Sequence, residues 1–183
     1  TQGLDLFNDF KIPLSLAGSL DFAGTMKNYE GKFSLANRSK NWQAISINGS
    51  YGGNDQGLRL KIDQAQALKG ALQGQLNIVW QKQVSIFGHL SGSNLNPAAI
   101  DRKWNGVVNF CAAGQVDFEK DRPVEGKIEV TLLQSRLHGR QLIGQARATF
   151  LGENVMIENM MLQGKGFQLT AAGAIKSRVN LNL

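Results

Sequence analysis

The sequence has a single cysteine, Cys111, which excludes an internal disulfide and any zinc site built on several thiolates. Prolines number three, aromatics make up 8% of residues and charged residues only 19%. The chain therefore has neither a proline-rich linker nor the charge density of a disordered tail. No apolar run reaches the roughly eighteen residues that a membrane-spanning helix needs. The first ten residues, TQGLDLFNDF, contain neither a basic segment leading into an apolar one nor a methionine. The expectation is a mature or excised segment, with any anchor or export signal outside it. No stretch keeps a 3.6-residue apolar repeat, and this absence sets the fold class.

Period-two alternation takes its place. In LSLAGSLDFAGTM, Leu14, Leu16, Gly18, Leu20, Phe22, Gly24 and Met26 share one phase, and polar or small residues fill the other. Side chains of a strand alternate between faces, so such a segment has one apolar face. The pattern recurs at Gly70, Leu72, Gly74, Leu76, Ile78 and Trp80, then at Val84, Ile86, Gly88 and Leu90. It returns at Val108, Phe110, Ala112, Gly114, Val116 and Phe118, and at Ile128, Val130 and Leu132. Leu142, Gly144, Ala146, Ala148 and Phe150 continue it, as do Phe167, Leu169, Ala171, Gly173 and Ile175. None of these phases contains a charged residue.

Turn signals separate the strands: NYEG, NRSKN, YGGNDQG, EKDRPVEG, LGEN and QGKG. Tight turns between strands of eight to ten residues require antiparallel pairing, because parallel neighbours need long crossovers. The reading is all-β, a single segment over residues 1–183. Roughly a dozen strands would span about 55–65 Å, and a sheet so wide curls or folds over on itself. Many of the 21 glycines lie inside strands on the apolar phase, among them Gly18, Gly74, Gly88, Gly114 and Gly144. They fit a tightly curled sheet with an uncrowded concave face, or simple relief of packing in a sandwich.

The formal charge of +6 suggests a generic basic surface ahead of a specific anionic partner such as phospholipid headgroups, lipopolysaccharide or nucleic acid. The bases are scattered along the chain and do not interleave with aromatics, so nucleic acid is not expected. His89, His138 and Cys111 share no local spacing with each other or with acids, so neither a catalytic constellation nor a metal site is expected. YGGNDQG lacks the Lys-Ser/Thr ending of a phosphate loop, and no cofactor is implied. An outer-membrane barrel would fit the alternation, but the glycine-rich apolar phase and the uniform loops count against it.

The stretch SGSNLNPAAIDRKWNGVVNFCAAGQV, Ser91 to Val116, interrupts the alternation and then restores it. Its Leu95, Pro97, Ile100, Trp104 and Gly106, with the Gly-x-Leu strands before it, resemble the TamB family of bacterial envelope proteins, relatives of the AsmA-like proteins. Asn105 stands where that family often has Pro. Gly139, Leu142, Gly144, Gly164 and Gly173 extend the resemblance, which covers roughly Gly49 to Ile175.

The resemblance implies a curled antiparallel sheet forming an open, taco-like trough with an apolar concave face. It implies a slice of a long periplasmic protein, anchored to the inner membrane by a segment outside this chain. Such a protein moves phospholipid between inner and outer membranes and takes part in outer-membrane protein assembly with a TamA-like barrel partner, through other parts of the chain. The residues expected to line the lipid groove and meet acyl chains are Leu14, Leu16, Leu20, Phe22, Leu72, Leu76, Ile78, Val84, Ile86, Leu90, Val108, Phe110, Val116, Phe118, Ile128, Val130, Leu142, Phe150, Phe167, Leu169 and Ile175. The Ser91–Val116 stretch is expected to connect one repeat to the next, fixed by Pro97 and packed by Trp104 against a sheet edge. A β-sandwich interaction module, or an assembly scaffold without lipid transport, are the alternatives.

Overall fold

The computed structural model describes residues 16–37, 45–81, 83–119, 122–152 and 154–175. The strands, in chain order, are β1 (Leu16–Leu20), β2 (Ala23–Thr25), β3 (Asn28–Asn37), β4 (Ser46–Asn54), β5 (Gly57–Ala67) and β6 (Gly70–Trp80). They continue with β7 (Val84–Leu95), β8 (Gly106–Glu119), β9 (Arg122–Leu137), β10 (Arg140–Leu151), β11 (Asn154–Gly164) and β12 (Phe167–Ile175). One 3₁₀ turn, Pro97–Ala99, is the only helical element among the described residues. All twelve strands belong to one sheet, ordered as in the chain, and every pairing is antiparallel. β1 and β2 both pair with β3, forming one edge strand broken at Asp21–Phe22, while β12 forms the other edge. The two edges do not pair, so the sheet is open and is not a barrel.

Tight turns follow from local chemistry. Leu68 and Lys69 (φ 50° and 63°) join β5 to β6, and His138 and Gly139 (φ 49° and 76°) join β9 to β10. Two positive-φ residues in succession give a turn whose twist matches that of the flanking strands. Within the Ser91–Val116 stretch, Asn96–Asn105 is an enlarged hairpin connection between the neighbouring strands β7 and β8. It lies at the strand ends between two adjacent hairpins, whereas the sequence suggests packing against a sheet edge. Asn96 accepts the Ala98 N–H on its side-chain oxygen, starting the 3₁₀ turn at Pro97. Its own N–H reaches the Leu68 carbonyl at 2.8 Å, while the Asn105 carbonyl accepts the His138 N–H at 2.9 Å. The connection is thus tied to a hairpin on either side. Trp104 remains 53% exposed, with its ring centroid 6.3 Å from that of His138.

Four alternate strands carry a β-bulge, in the C-terminal halves of β5, β7 and β9 and near the middle of β11. The register slips between Ile62 and Ala65 in β5, between Gly92 and Leu95 in β7, opposite Leu142/Gly144 in β9, and between Ile157 and Met160 in β11. An extra residue bends a strand and increases its twist, so bulges repeated in alternate strands bend the whole sheet, consistent with a curled trough. Asn109, on β8 between two bulged strands, connects them. Its side-chain oxygen accepts the N–H of the left-handed Asn94 (φ 55°) at 2.7 Å, and its amide donates to the Gln134 carbonyl at 2.6 Å. The Ser135 hydroxyl accepts the Asn109 N–H at 2.9 Å. Both bulges thereby satisfy backbone groups that the ladder leaves unpaired.

Among the described residues no second layer covers the sheet. Only Ala65, Leu95 and Leu142 are buried apolar side chains among the described residues, and no large side chain is fully buried. A sandwich would bury most of one face, so that alternative does not describe this chain.

Candidate functional site: an apolar face without charge

The register aligns apolar residues in rows that cross the sheet. One row runs Leu35, Ile47, Ala65, Leu72, Gly92, Phe110, Leu132, Gly144, Leu162, Leu169, from β3 to β12. The next runs Leu20, Phe33, Gly49, Ile62, Gly74, Leu90, Ala112, Val130, Ala146, Met160, Ala171. A third passes through Gly31, Tyr51, Leu60, Leu76, Gly88, Gly114, Ile128, Ala148, Ile157 and Gly173, and a fourth through Tyr29, Gly53, Leu58, Ile78, Ile86, Val116, Gly126, Phe150, Val155 and Ile175. None of these positions is charged, and the tyrosine hydroxyls are the only side-chain polar groups. Tyr51 donates its hydroxyl to the Asp21 carbonyl at 2.6 Å.

The expected groove residues Leu20, Leu72, Leu76, Ile78, Ile86, Leu90, Phe110, Val116, Ile128, Val130, Phe150, Leu169 and Ile175 all fall in these rows. Val84 and Phe118 pair beyond the rows toward one rim, and Val108, Leu142 and Phe167 stand on the same face toward the other. Leu16 pairs with Asn37 at the edge. Phe22 lies in the break between β1 and β2, 60% exposed, and stacks on Tyr29 with centroids 6.2 Å apart. Leu14 lies outside the described residues.

Several glycines of this face lie beneath the large side chains of neighbouring strands. A Cβ on Gly92 would sit 2.5 Å from the Phe110 ring, one on Gly49 would sit 2.6 Å from the Phe33 ring, and one on Gly164 would sit 2.4 Å from the Phe167 ring. Aromatic rings laid across strand glycines shield bare backbone and level the surface. Phe33, Phe110 and Phe150 are half-buried although no second layer exists. The result is a continuous apolar surface without a deep pocket.

Sequence reasoning missed Phe33, Leu35, Ile47, Leu58, Leu60, Ile62, Ile157, Met160 and Leu162 as members of this face. NYEG and YGGNDQG have the composition of turns, yet Asn28–Gly31 lies within β3 and Tyr51–Asn54 within β4. Their turns contain only Met26–Lys27 and Asp55–Gln56, the latter held by the Gln56 N–H on the Asn54 side chain at 2.9 Å.

The opposite face is polar along its middle. Arg59 and Gln75 donate to the Asn77 side-chain oxygen at 3.4 and 3.2 Å, and Ser85 donates to Asp117 at 2.5 Å. Glu129 pairs with Lys127 at 2.9 Å and with Arg147 at 3.0 Å. The hydrogen bond from Lys127, aided by the charge of Arg147, holds the Glu129 carboxyl below its ordinary range. This face is less uniformly polar than the alternation implies, since Phe87, Val107, Leu133, Ile143 and Met156 are exposed on it or at its bulges. Two shallow hollows of about 760 and 690 Å³ lie mainly against this face, the first beside Gln115, Lys127 and Glu129 and the second beside Asn109, Arg136 and Ile143. Cys111 is exposed here, opposite Ser91 and Thr131, and His89 faces Gln75 and Ala113. Among the described residues no group of three or more His, Cys, Asp or Glu could hold a metal ion, and none of their helices is long and apolar enough to cross a membrane.

An open sheet with one uncharged apolar face and one polar face defines a class of trough-forming β-proteins. Within that class, the family model described as TamB, N-terminal domain, matches residues 14–183, and the chain belongs to the TamB family. Membership implies an envelope protein of the periplasm. No curated protein and no solved structure matches the chain.

Proposed function

We propose that this chain is a lipid-bearing length of trough: its apolar face shelters phospholipid acyl chains as they pass between the inner and outer membranes. The longer protein is held in the inner membrane by a segment outside this chain. It also serves outer-membrane protein assembly through a TamA-like barrel partner. The observation that supports this reading is the set of four uncharged rows crossing the sheet, on which none of the described residues packs as a second layer. Each methylene moved from water onto such a surface recovers about 0.8 kcal/mol, so an unbroken apolar wall holds a chain without a specific pocket. Because neighbouring rows are alike, a chain shifted by one strand meets an equivalent surface. Weak position-dependence of this kind favours sliding over capture. No catalytic role is part of the proposal.

The test is photocrosslinking in cells from positions on opposite faces. A crosslinker at Ile86 or Phe110 is expected to trap phospholipid, whereas one at Gln75 or Asn77 is not. Equal lipid labelling from both faces would refute a one-sided conduit. Labelling of unfolded outer-membrane proteins in place of lipid would favour the assembly-scaffold reading.

A further inference from the structure

The chain's cations are scattered in sequence, but the topology gathers several at one rim. The connections β5–β6, β7–β8, β9–β10 and β11–β12 all open at the same end of the strands. They carry Lys69, Arg102, Lys103, Arg140 and Lys165, with Arg136 one residue pair inside, and all six are exposed. Asp101 is the only acid among the described residues there, and it accepts the Lys103 N–H at 2.9 Å. At the opposite rim acids predominate among the described side chains, with Asp55, Asp117, Glu119 and Glu125 against Lys27. None of the six rim cations is in an ion pair among the described residues, whereas Lys61, Lys127 and Arg147 of the polar face all are.

The apolar face reaches this rim directly. Leu95 (5% exposed) pairs with Val108, and Leu142 (8% exposed) lies two residues from Arg140. A cationic border beside an apolar floor suits a molecule with a long apolar tail and an anionic head. Trp104 and Ile100, 53% and 49% exposed on the β7–β8 connection, add the amphipathic and apolar groups that settle at headgroup depth. We propose that this rim reads the lipid headgroup. It holds the phosphate of an anionic phospholipid whose tails lie on the apolar face, so the trough loads anionic lipids ahead of zwitterionic ones. A zwitterionic head also carries a phosphate, but its ammonium group meets the repulsion of the same cations. The inference rests on the lipid-bearing reading above.

The experiment loads the full-length protein from vesicles of equimolar phosphatidylglycerol and phosphatidylethanolamine, and measures bound lipid by mass spectrometry. The ratio of bound phosphatidylglycerol to phosphatidylethanolamine is expected to exceed the vesicle ratio roughly five- to thirtyfold, the effect of one or two basic residues acting on an anionic head. The combined change Arg102→Gln, Lys103→Gln, Arg136→Gln and Arg140→Gln is expected to return bound lipid to the vesicle ratio with the total unchanged. Removing four cations of the polar face (Lys32, Arg59, Lys127 and Arg147, each to Gln) is expected to leave the enrichment intact. High salt is expected to erase it. Lipid bound at the vesicle ratio by the unaltered protein, or enrichment surviving in the rim variant, overturns the headgroup proposal alone. Absence of bound lipid overturns the conduit reading and this inference together.

Discussion

Replacing Phe110 with Asp puts a carboxylate near the middle of the apolar face, in the row between Gly92 and Leu132. Phe110 is half-buried, so the loss of its ring forfeits about 1 kcal/mol of the roughly 2–3 kcal/mol that complete burial of such a side chain is worth. The backbone at Gly92, which the ring covers, becomes exposed and adds about 0.5–1 kcal/mol. The new carboxylate keeps its hydration, because nothing closes over this face. The sum is about 2 kcal/mol, which for a chain of this size lowers Tm by roughly 4–8 °C. In a closed core the same change would cost about 3–5 kcal/mol for the cavity and several more for the unpaired charge, which rivals the entire stability of a domain. Thermal unfolding of the delipidated chain, followed by circular dichroism, separates the two cases. The variant is expected to remain folded but, in the full-length protein, to fail in complementation, since a charge in the trough holds water across the path of the acyl chain. Complete melting of the variant at room temperature would refute the open-face reasoning. A folded variant that complements fully would refute the conduit.

Two other substitutions test how the sheet is shaped. Asn109→Leu leaves the Asn94 N–H and the Gln134 carbonyl without their partner, and is expected to destabilise the chain by about 1–3 kcal/mol. Amide exchange at Asn94 should accelerate more than exchange in β4, and uniform acceleration would argue against a local latch. Gly92→Val pushes a side chain into the Phe110 ring and Leu95, and is expected to cost about 1–3 kcal/mol through overpacking. Adding Phe110→Ala should recover part of that loss, and strictly additive effects would show that the ring does not lie over Gly92.

The strands that were legible in the sequence keep one phase from end to end, or nearly so. In β6, β8, β10 and β12 the apolar positions are separated by two throughout, so periodicity alone places their residues on one face. Bulges hide two of the others. In β5 the apolar phase passes from Ile62 to Ala65, and in β11 from Ile157 to Met160, so an alternation template loses count halfway along each strand. In β4 the pair Gly52–Gly53 mimics a turn, although Gly53 lies under the Tyr29 ring as part of the sheet. Asn109 carries no sequence signal at all, because its role depends on bulges in two other strands. The cationic rim was illegible for a related reason. Lys69, Arg102, Arg140 and Lys165 are separated by many residues and meet only because every second turn opens on the same side.

Strict nearest-neighbour order has a consequence for how such a sheet comes into being. From β3 onward every strand pairs with the strand made just before it, so no contact waits for a distant part of the chain. Closing each hairpin costs the entropy of a short loop only, and low contact order of this kind favours rapid assembly. A chain threaded through a membrane from its N-terminus could then zip strand by strand as it emerged. The newest edge would serve as the template for the next strand, and at no stage would more than one edge need protection from mispairing.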